Sequence, residues 1–171
     1  MILDASHRAN GNTTRIAHLL SKSLDAEVFS LVDYDIGHYD YEFRNSDDDF
    51  LPLIRKIATY DIIVFATPVY WYSMSGRLKV FLDRISDCLK IEKAIGRSFA
   101  GKSMAVLSCG SEDSSILGFF EPFKLTADYL DMHYIGDVET WIAADDIVSA
   151  VEDRVNAFAN KLLATSPSHQ D

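Results

Sequence analysis

The stretch with the densest potential for chemistry is Asp4-Ala5-Ser6-His7-Arg8-Ala9-Asn10-Gly11-Asn12-Thr13-Thr14. It follows an apolar start, Met1-Ile2-Leu3, and precedes a run with Ile16, Ala17, Leu19, Leu20 and Leu24 on one helical face. A polar loop between a strand and a helix offers hydroxyls, side-chain amides and unpaired backbone N–H groups where the helix begins. Such groups bind a phosphate, helped by the positive end of the helix dipole. Asn12 and Thr13 could instead simply cap the helix, the usual task of Asn and Thr before an apolar periodic run. A cap alone leaves Ser6, Arg8, Gly11 and the second threonine unexplained. The loop matches neither G-x-G-x-x-G nor G-x-x-x-x-G-K-[ST], so neither a Rossmann dinucleotide site nor a P-loop NTPase is the natural reading.

Two further stretches carry suitable side chains. Pro68 is followed by Val69-Tyr70-Trp71-Tyr72-Ser73-Met74, a flat apolar surface with polar tips that suits one face of a planar heterocycle. Ser108, Gly110 and Ser111 are small enough to let backbone N–H groups approach a ring closely. Cys109 between them reads as small buried packing rather than a redox group, and Cys88 as a helix residue packed like a small hydrophobe. Of the five histidines only His7 falls in a candidate site, where it reads as a solvated loop residue. No side chain is assigned a catalytic role.

These loops need a frame, and the periodicity supplies one. Predicted strands are Met1–Leu3, Glu27–Val32, Asp61–Thr67, Lys102–Ser108 and His133–Trp141. Predicted helices begin near Thr14 and span about Phe50–Tyr60, Gly76–Leu89, Leu117–Asp131 and Asp145–Ala164. The run Asp61–Thr67 is continuously apolar, as a parallel strand buried on both faces requires. Five strand–helix units in succession imply a parallel sheet with helices on both faces, a three-layer α/β sandwich. The doubly wound order for five strands is the flavodoxin-like 2-1-3-4-5, whose ligands bind beyond the carboxyl ends of the strands near strands 1 and 3. That order brings the loops after strands 1, 3 and 4 together. A ligand with a phosphate, a polyol arm and an aromatic ring fits all three, which describes FMN. Residues 1–165 are expected to form a single FMN-binding domain, and 166–171 a frayed tail.

Composition narrows the alternatives. The 171 residues are enough for one domain with a sizeable core, and 48% hydrophobic with 25% charged residues is ordinary for a soluble globular protein. A formal net charge of −10 argues against binding nucleic acid or anionic lipid, both driven by Lys and Arg. The two cysteines, far apart and in no C-x-x-C spacing, give no case for a disulfide framework or a metal site. No signal-like start and no apolar run of membrane-spanning length is found, so a cytoplasmic protein is expected. Tyr34–Asp49 is the longest irregular stretch, functional or mobile by its length. Its Asp47–Asp49 run reads as a solvated helix start.

The strand–loop–helix A-T-P-V-Y-W-Y-S-M-S-G-R-L-K-V-F-L-D-R, Ala66–Arg84, closely resembles the signature of NADPH-dependent FMN reductase-like flavoproteins of the flavodoxin fold. The loop S-H-R-A-N-G-N-T is similar to their phosphate loop at Ser6, Arg8, Gly11, Asn12 and Thr13. The resemblance implies that Ser6, Arg8, Asn12, Thr13 and Thr14 hold the FMN phosphate. It also implies that Pro68, Val69, Tyr70 and Trp71, with Ser73 and Met74 nearby, border the isoalloxazine, and that Ser108, Gly110 and Ser111 complete the pocket. The chain departs from the pattern at Asp4-Ala5, where many relatives have a Gly before the Ser, and it lacks the cysteine cluster that marks an iron–sulfur centre. The implied activity passes a hydride from NADPH or NADH through FMN to a small acceptor such as a quinone or a free flavin. Homodimers or homotetramers are implied, with Tyr34–Phe43 a candidate interface. Arg77 and Arg84 are candidate contacts for a 2′-phosphate, although arginines on helices are usually solvated. A flavodoxin-type electron carrier, which an acidic surface suits, and a flavin-binding sensor without turnover are the competing readings.

Overall fold

The structure, a computed structural model, describes residues 1–143 and 146–165. The expected tail 166–171 lies outside the described residues. In order come β1 (Ile2–Asp4), α1 (Asn12–Leu24), β2 (Val28–Ser30), a 3-10 turn (Leu31–Asp33), α2 (Phe50–Ile57), β3 (Ile62–Pro68), α3 (Gly76–Lys90), α4 (Lys93–Arg97), β4 (Ser103–Gly110), α5 (Glu121–Tyr129), β5 (His133–Trp141) and α6 (Ser149–Thr165). The strands form one parallel sheet in the order β2-β1-β3-β4-β5, as the alternation of elements implies.

Consecutive residues of each central strand point to opposite faces. Leu3, Ile63, Phe65, Met104 and Val106 enter one core with residues of α2, α3 and α5, whereas Ile2, Val64, Ala66, Ala105 and Leu107 enter the other with α1 and α6. Cys88 is fully buried in the first core, and burial pushes its thiol up to about 12, as packing rather than reactivity requires. Asp4, the last residue of β1, aligns with Ala66, while β3 runs on to Pro68 and β4 to Gly110. This leaves a step in the sheet beyond β1. Ser75 ties its corner: its backbone N–H donates to the Thr67 hydroxyl at 3.0 Å and its own hydroxyl donates to the Ala5 carbonyl at 2.9 Å. The same oxygen accepts the Leu78 N–H at 3.2 Å, capping α3.

The boundaries depart from the predicted ones for local reasons. The helix expected from Leu117 begins at Glu121, because Gly118 has φ 80°, outside the right-handed helical region. The second strand is shorter than Glu27–Val32, giving way at Leu31 to the 3-10 turn. The last helix starts at Ser149, after a bridge between Ala143 and Asp146. The five-residue α4 has too little periodicity to be read from sequence.

The largest correction concerns Arg84 and Asp48. Arg84 is not solvated on α3 but fully buried. Its Nε donates to Asp87 at 2.8 Å, and its terminal nitrogens donate to the carbonyls of Gly37 and Asn45, both at 3.0 Å, and to the Asp48 carboxylate. Asp48 also accepts the N–H groups of Gly37 at 2.8 Å and Phe50 at 2.9 Å. Within the acidic run Asp48 is therefore an anchor that clamps the irregular segment onto α3, whereas Asp47 and Asp49 are exposed, as a solvated helix start requires.

Candidate functional site

The loop after β1 is built on Asp4, a fully buried carboxylate. One of its oxygens accepts the Ser6 backbone N–H at 3.0 Å, and the other the Thr14 hydroxyl at 2.6 Å. Burial is the larger influence and pushes the Asp4 carboxyl above its ordinary value, against the two hydrogen bonds, which favour the charged form. The Ser6 hydroxyl accepts the Arg8 N–H at 3.3 Å and donates to the Arg8 carbonyl at 3.0 Å, and the Gly11 N–H donates to that same carbonyl at 3.0 Å. A Cβ on Gly11 would lie 2.5 Å from the Ser6 hydroxyl oxygen, so the turn closes this tightly only over glycine.

The helix cap is Gly11, with no side-chain cap bond. Asn12 and Thr13 are thus not caps; they form the first turn of α1, whose N–H groups are left without a capping acceptor. Asn12 and Thr13, at the positive end of the helix, line a hollow with Pro68 at the end of β3, Val69 just after it, and Cys109 and Gly110 at the end of β4.

The loop after β3 is a strained turn. The Val69 N–H donates to the Cys109 carbonyl at 2.9 Å, joining this loop to the end of β4. Tyr70 and Ser73 then exchange backbone bonds of 2.9 and 3.1 Å across Trp71 and Tyr72, which have φ 50° and 64°. Two successive positive φ values suit Asn and Gly; in bulky aromatic residues they store strain, and such strain marks functional positions. The strain displays both rings, 93% and 75% exposed.

A cleft of two adjoining hollows runs between these loops. The inner hollow, about 170 Å³, brings together Ser6, Arg8, Asn12, Thr13, Pro68, Val69, Tyr70, Gly110 and Ser111 of the predicted residues. The outer hollow, about 300 Å³, shares Val69, Gly110 and Ser111 and adds Trp71 and Ser108. Three predicted residues line neither. The Thr14 hydroxyl is turned inward to Asp4, Met74 is buried in the core beneath the turn, and Ser73 closes that turn through its backbone. Their places follow from local hydrogen bonding and packing that the motif spacing does not convey.

Further residues line the hollows: Tyr72, Gly11 and Cys109 come from the expected aromatic run, phosphate loop and small-residue stretch, and the rest lie where the motifs did not point. Tyr72, Glu112, Ser114, Ile116, Phe119, Glu139 and Thr140 border the outer hollow, and Gly11 and Cys109 the inner one. The strand order carried the missing signal for Glu139 and Thr140, since β5 pairs with β4 and places them opposite Ser108 and Cys109. The Glu139 carboxylate accepts the Ser115 hydroxyl at 3.3 Å and the Ile116 N–H at 3.2 Å, ordering the loop after β4. Burial pushes the Cys109 thiol up to about 11, against hydrogen bonds from Thr13 and Thr140, which keeps it a neutral packing group.

The cleft fits FMN by its own chemistry. The residues lining its inner end include helix-start amides, the Thr13 side chain, exposed Arg8 and no carboxylate, a donor set for a dianion. The outer end is walled by Val69, Trp71, Tyr72, Ile116 and Phe119, with Gly110 leaving the strand backbone open to a flat ring.

Residues 1–146 match the family of NADPH-dependent FMN reductases. Over 147 residues, 80% of this chain and 81% of the relative, the sequence is 30% identical to YwqN of Bacillus subtilis, which bears the name of an NAD(P)H-dependent FMN-containing oxidoreductase. Among solved structures, the Trp repressor binding protein of Bacillus subtilis superposes with a TM-score of 0.75 at 24% identity, covering 94% of this chain and 96% of that one. An FMN-dependent NADH-azoreductase of Bacillus anthracis, in complex with FMN, superposes with a TM-score of 0.69 at 11% identity, covering 94% and 97%. The two superpositions show a shared fold. The sequence match goes further, spanning all three loops of the cleft, and it places this chain in the NADPH-dependent FMN reductase family, the flavodoxin-like oxidoreductases that use FMN and a nicotinamide cosubstrate.

Proposed function

We propose that the cleft holds FMN with its phosphate in the inner hollow and its ring in the outer one, and that the chain passes a hydride from NADPH or NADH to a small acceptor such as a quinone or a free flavin. The observation that supports this reading is the contrast between two hollows that share Val69, Gly110 and Ser111, the inner one free of lining carboxylates and the outer one rimmed by Trp71, Tyr72 and Phe119 beside Glu112 and Glu139. Bound FMN would supply the hydride chemistry. The protein's part is to bind, orient and dry the site.

Ser6 and Gly11 shape the loop, and Arg8, Asn12 and Thr13 present donors to the phosphate. Thr14 acts one step back, through Asp4. Pro68, Val69 and Tyr70 form one wall, Ser108, Gly110 and Ser111 the other, and Trp71 shields the outer rim from water. Met74 fixes the turn from below. No side chain is assigned a proton-transfer role. The domain comprises residues 1–165 and works in the cytoplasm; among the described residues no helix is long and apolar enough to cross a membrane. A homodimer or homotetramer is supported by Leu117, Leu125 and Tyr129, exposed on and beside α5.

The test is anaerobic. The FMN-loaded protein is mixed with NADPH or with NADH in separate runs while the flavin absorption is followed. Bleaching in one two-electron phase supports the reductase and ranks the donors. The net charge of −10 favours one competitor, a flavodoxin-type electron carrier docking on a basic reductase. Flavin that binds and stays oxidised with both donors would establish that alternative over the reductase.

A further inference from the structure

Beside the cofactor cleft lies a second hollow of about 290 Å³, between the loop after β1, the segment after β2 and the start of α3. Its apolar walls are Leu31, Ile36 and Val80, and three nitrogen-bearing side chains, His7, His38 and Arg77, line it too. No carboxylate lines it, although the chain carries a net charge of −10. Hollows elsewhere include Glu112 and Glu139, Asp25 and Glu27, or Asp131 among their lining residues, whereas the inner hollow of the cleft shares the absence of an acid among its described lining residues.

Arg77 is held in place there and is short of an acceptor. Its Nη1 donates to the Leu31 carbonyl at 2.8 Å, while its Nε is buried with no hydrogen-bond partner. A buried donor left unpaired is costly and calls for an explanation. Arg84, the other candidate contact for a 2′-phosphate, is spent inside the protein. The second hollow also adjoins the first. The His7 ring stacks on Tyr70 with centroids 5.7 Å apart, and Tyr70 lines the inner hollow of the cleft.

We propose that this hollow takes the adenosine 2′-phosphate end of NADPH. Arg77 and the imidazoles of His7 and His38 supply donors to the phosphate monoester, and Leu31, Ile36 and Val80 pack against the adenine. A dinucleotide with its nicotinamide in the outer hollow would cross the ridge formed by Tyr70 and His7. The inference rests on reading the cleft as a nicotinamide-using FMN site, and it assigns the preference for NADPH over NADH to side chains outside that cleft.

The test uses the FMN-loaded full chain and two probes, adenosine 2′,5′-diphosphate and adenosine 5′-monophosphate, with calorimetry as the readout. The diphosphate is expected to bind the wild-type protein about tenfold or more tighter, the effect of one well-placed charge-assisted contact. His38→Ala, at an exposed position, and Arg77→Gln are each expected to close that gap while FMN affinity stays unchanged. Equal affinities in the wild-type protein, or a gap that survives both substitutions, would overturn the assignment. Failure of the cleft reading shows separately, as flavin that neither nicotinamide bleaches.

Discussion

Buried Arg84 of α3 and half-buried Asp48 of the irregular segment, 36 positions apart in sequence, form an ion pair whose members also bind the backbone of Gly37 from both sides. Arg84 donates to the Gly37 carbonyl and Asp48 accepts the Gly37 N–H, so the pair closes a ring of bonds around one glycine. Removing Asp48 leaves Arg84 with Asp87 as its carboxylate partner and takes the acceptor from the Gly37 and Phe50 N–H groups. Asp48→Ala is expected to cost about 1–3 kcal/mol in urea unfolding, the loss of acceptors for part-buried donors with Arg84 still paired to Asp87. It should also open the segment between Tyr34 and Asp49 to limited proteolysis.

The same pair sets an acid limb. Burial works against the charged form of Asp48, but the bonds from Arg84 and from the N–H groups of Phe50 and Gly37 prevail, and the carboxyl is held below its ordinary value. A depressed carboxyl stabilises the fold above its unfolded pKa, about 3.9, and that stabilisation is lost as pH falls through the lower folded value. Asp48→Asn cannot titrate. The stability difference between wild type and this variant is therefore expected to be constant at neutral pH and to shrink below about pH 4. A difference independent of pH would show that the charge of Asp48 does not matter.

Asp4 has the opposite sign. Its carboxyl is raised, chiefly by burial, so the folded protein holds the proton more tightly than the unfolded chain. Stability then falls as pH rises through the window between the ordinary and the raised value, and ionised Asp4 weakens the fold above it. Asp4→Asn can still accept the Ser6 N–H, and its amide can donate to the Thr14 hydroxyl. It is expected to leave stability at neutral pH unchanged or higher, and to tighten FMN binding by removing a negative charge beneath the phosphate loop. Asp4→Ala breaks both bonds and should weaken FMN by about tenfold. Fluorescence titration with FMN distinguishes the two; an Asn variant that binds as poorly as the Ala variant would show that the charge itself holds the loop.

These cases mark what was legible in the sequence. The apolar runs at Ile62–Pro68 and Ser103–Gly110 and their alternation with amphipathic helices were enough for the sheet order, because period and length fix such strands locally. The lining role of Arg8, Asn12, Pro68 and Gly110 was legible because it follows from position at strand ends. The inward turn of Thr14 depends on where the Asp4 carboxylate points, and the burial of Arg84 depends on a segment 36 or more positions away. Long-range hydrogen bonding of that kind has no sequence period. The positive φ of Trp71 and Tyr72 was illegible for another reason: their residue types argue against it.

Gly11 and Ser6 provide a test of the loop's closure. A Cβ on Gly11 would press on the Ser6 hydroxyl, which holds both the N–H and the carbonyl of Arg8. Gly11→Ala is expected to weaken FMN binding by about tenfold, and Ser6→Ala by somewhat less. The double variant should bind no worse than Gly11→Ala alone, since the two changes damage one contact. Additive losses would mean that Gly11 serves the ligand directly rather than the turn.

The turn at Trp71 and Tyr72 sets stability against function. Both residues sit at positive φ, a conformation that costs an L-residue about 1 kcal/mol or more. Neither ring repays that through burial, being 93% and 75% exposed. Trp71→Asn combined with Tyr72→Gly restores the residue types such a turn prefers. The FMN-free variant is expected to melt about 2–6 °C higher than wild type, the shift that about 1–2 kcal/mol produces in a chain of this size. Its FMN affinity should fall, because the aromatic rim of the outer hollow is gone. A lower melting temperature in the absence of FMN would show that the turn is not strained and that the rings stabilise the free protein. Higher stability with unchanged affinity would remove Trp71 and Tyr72 from the binding surface.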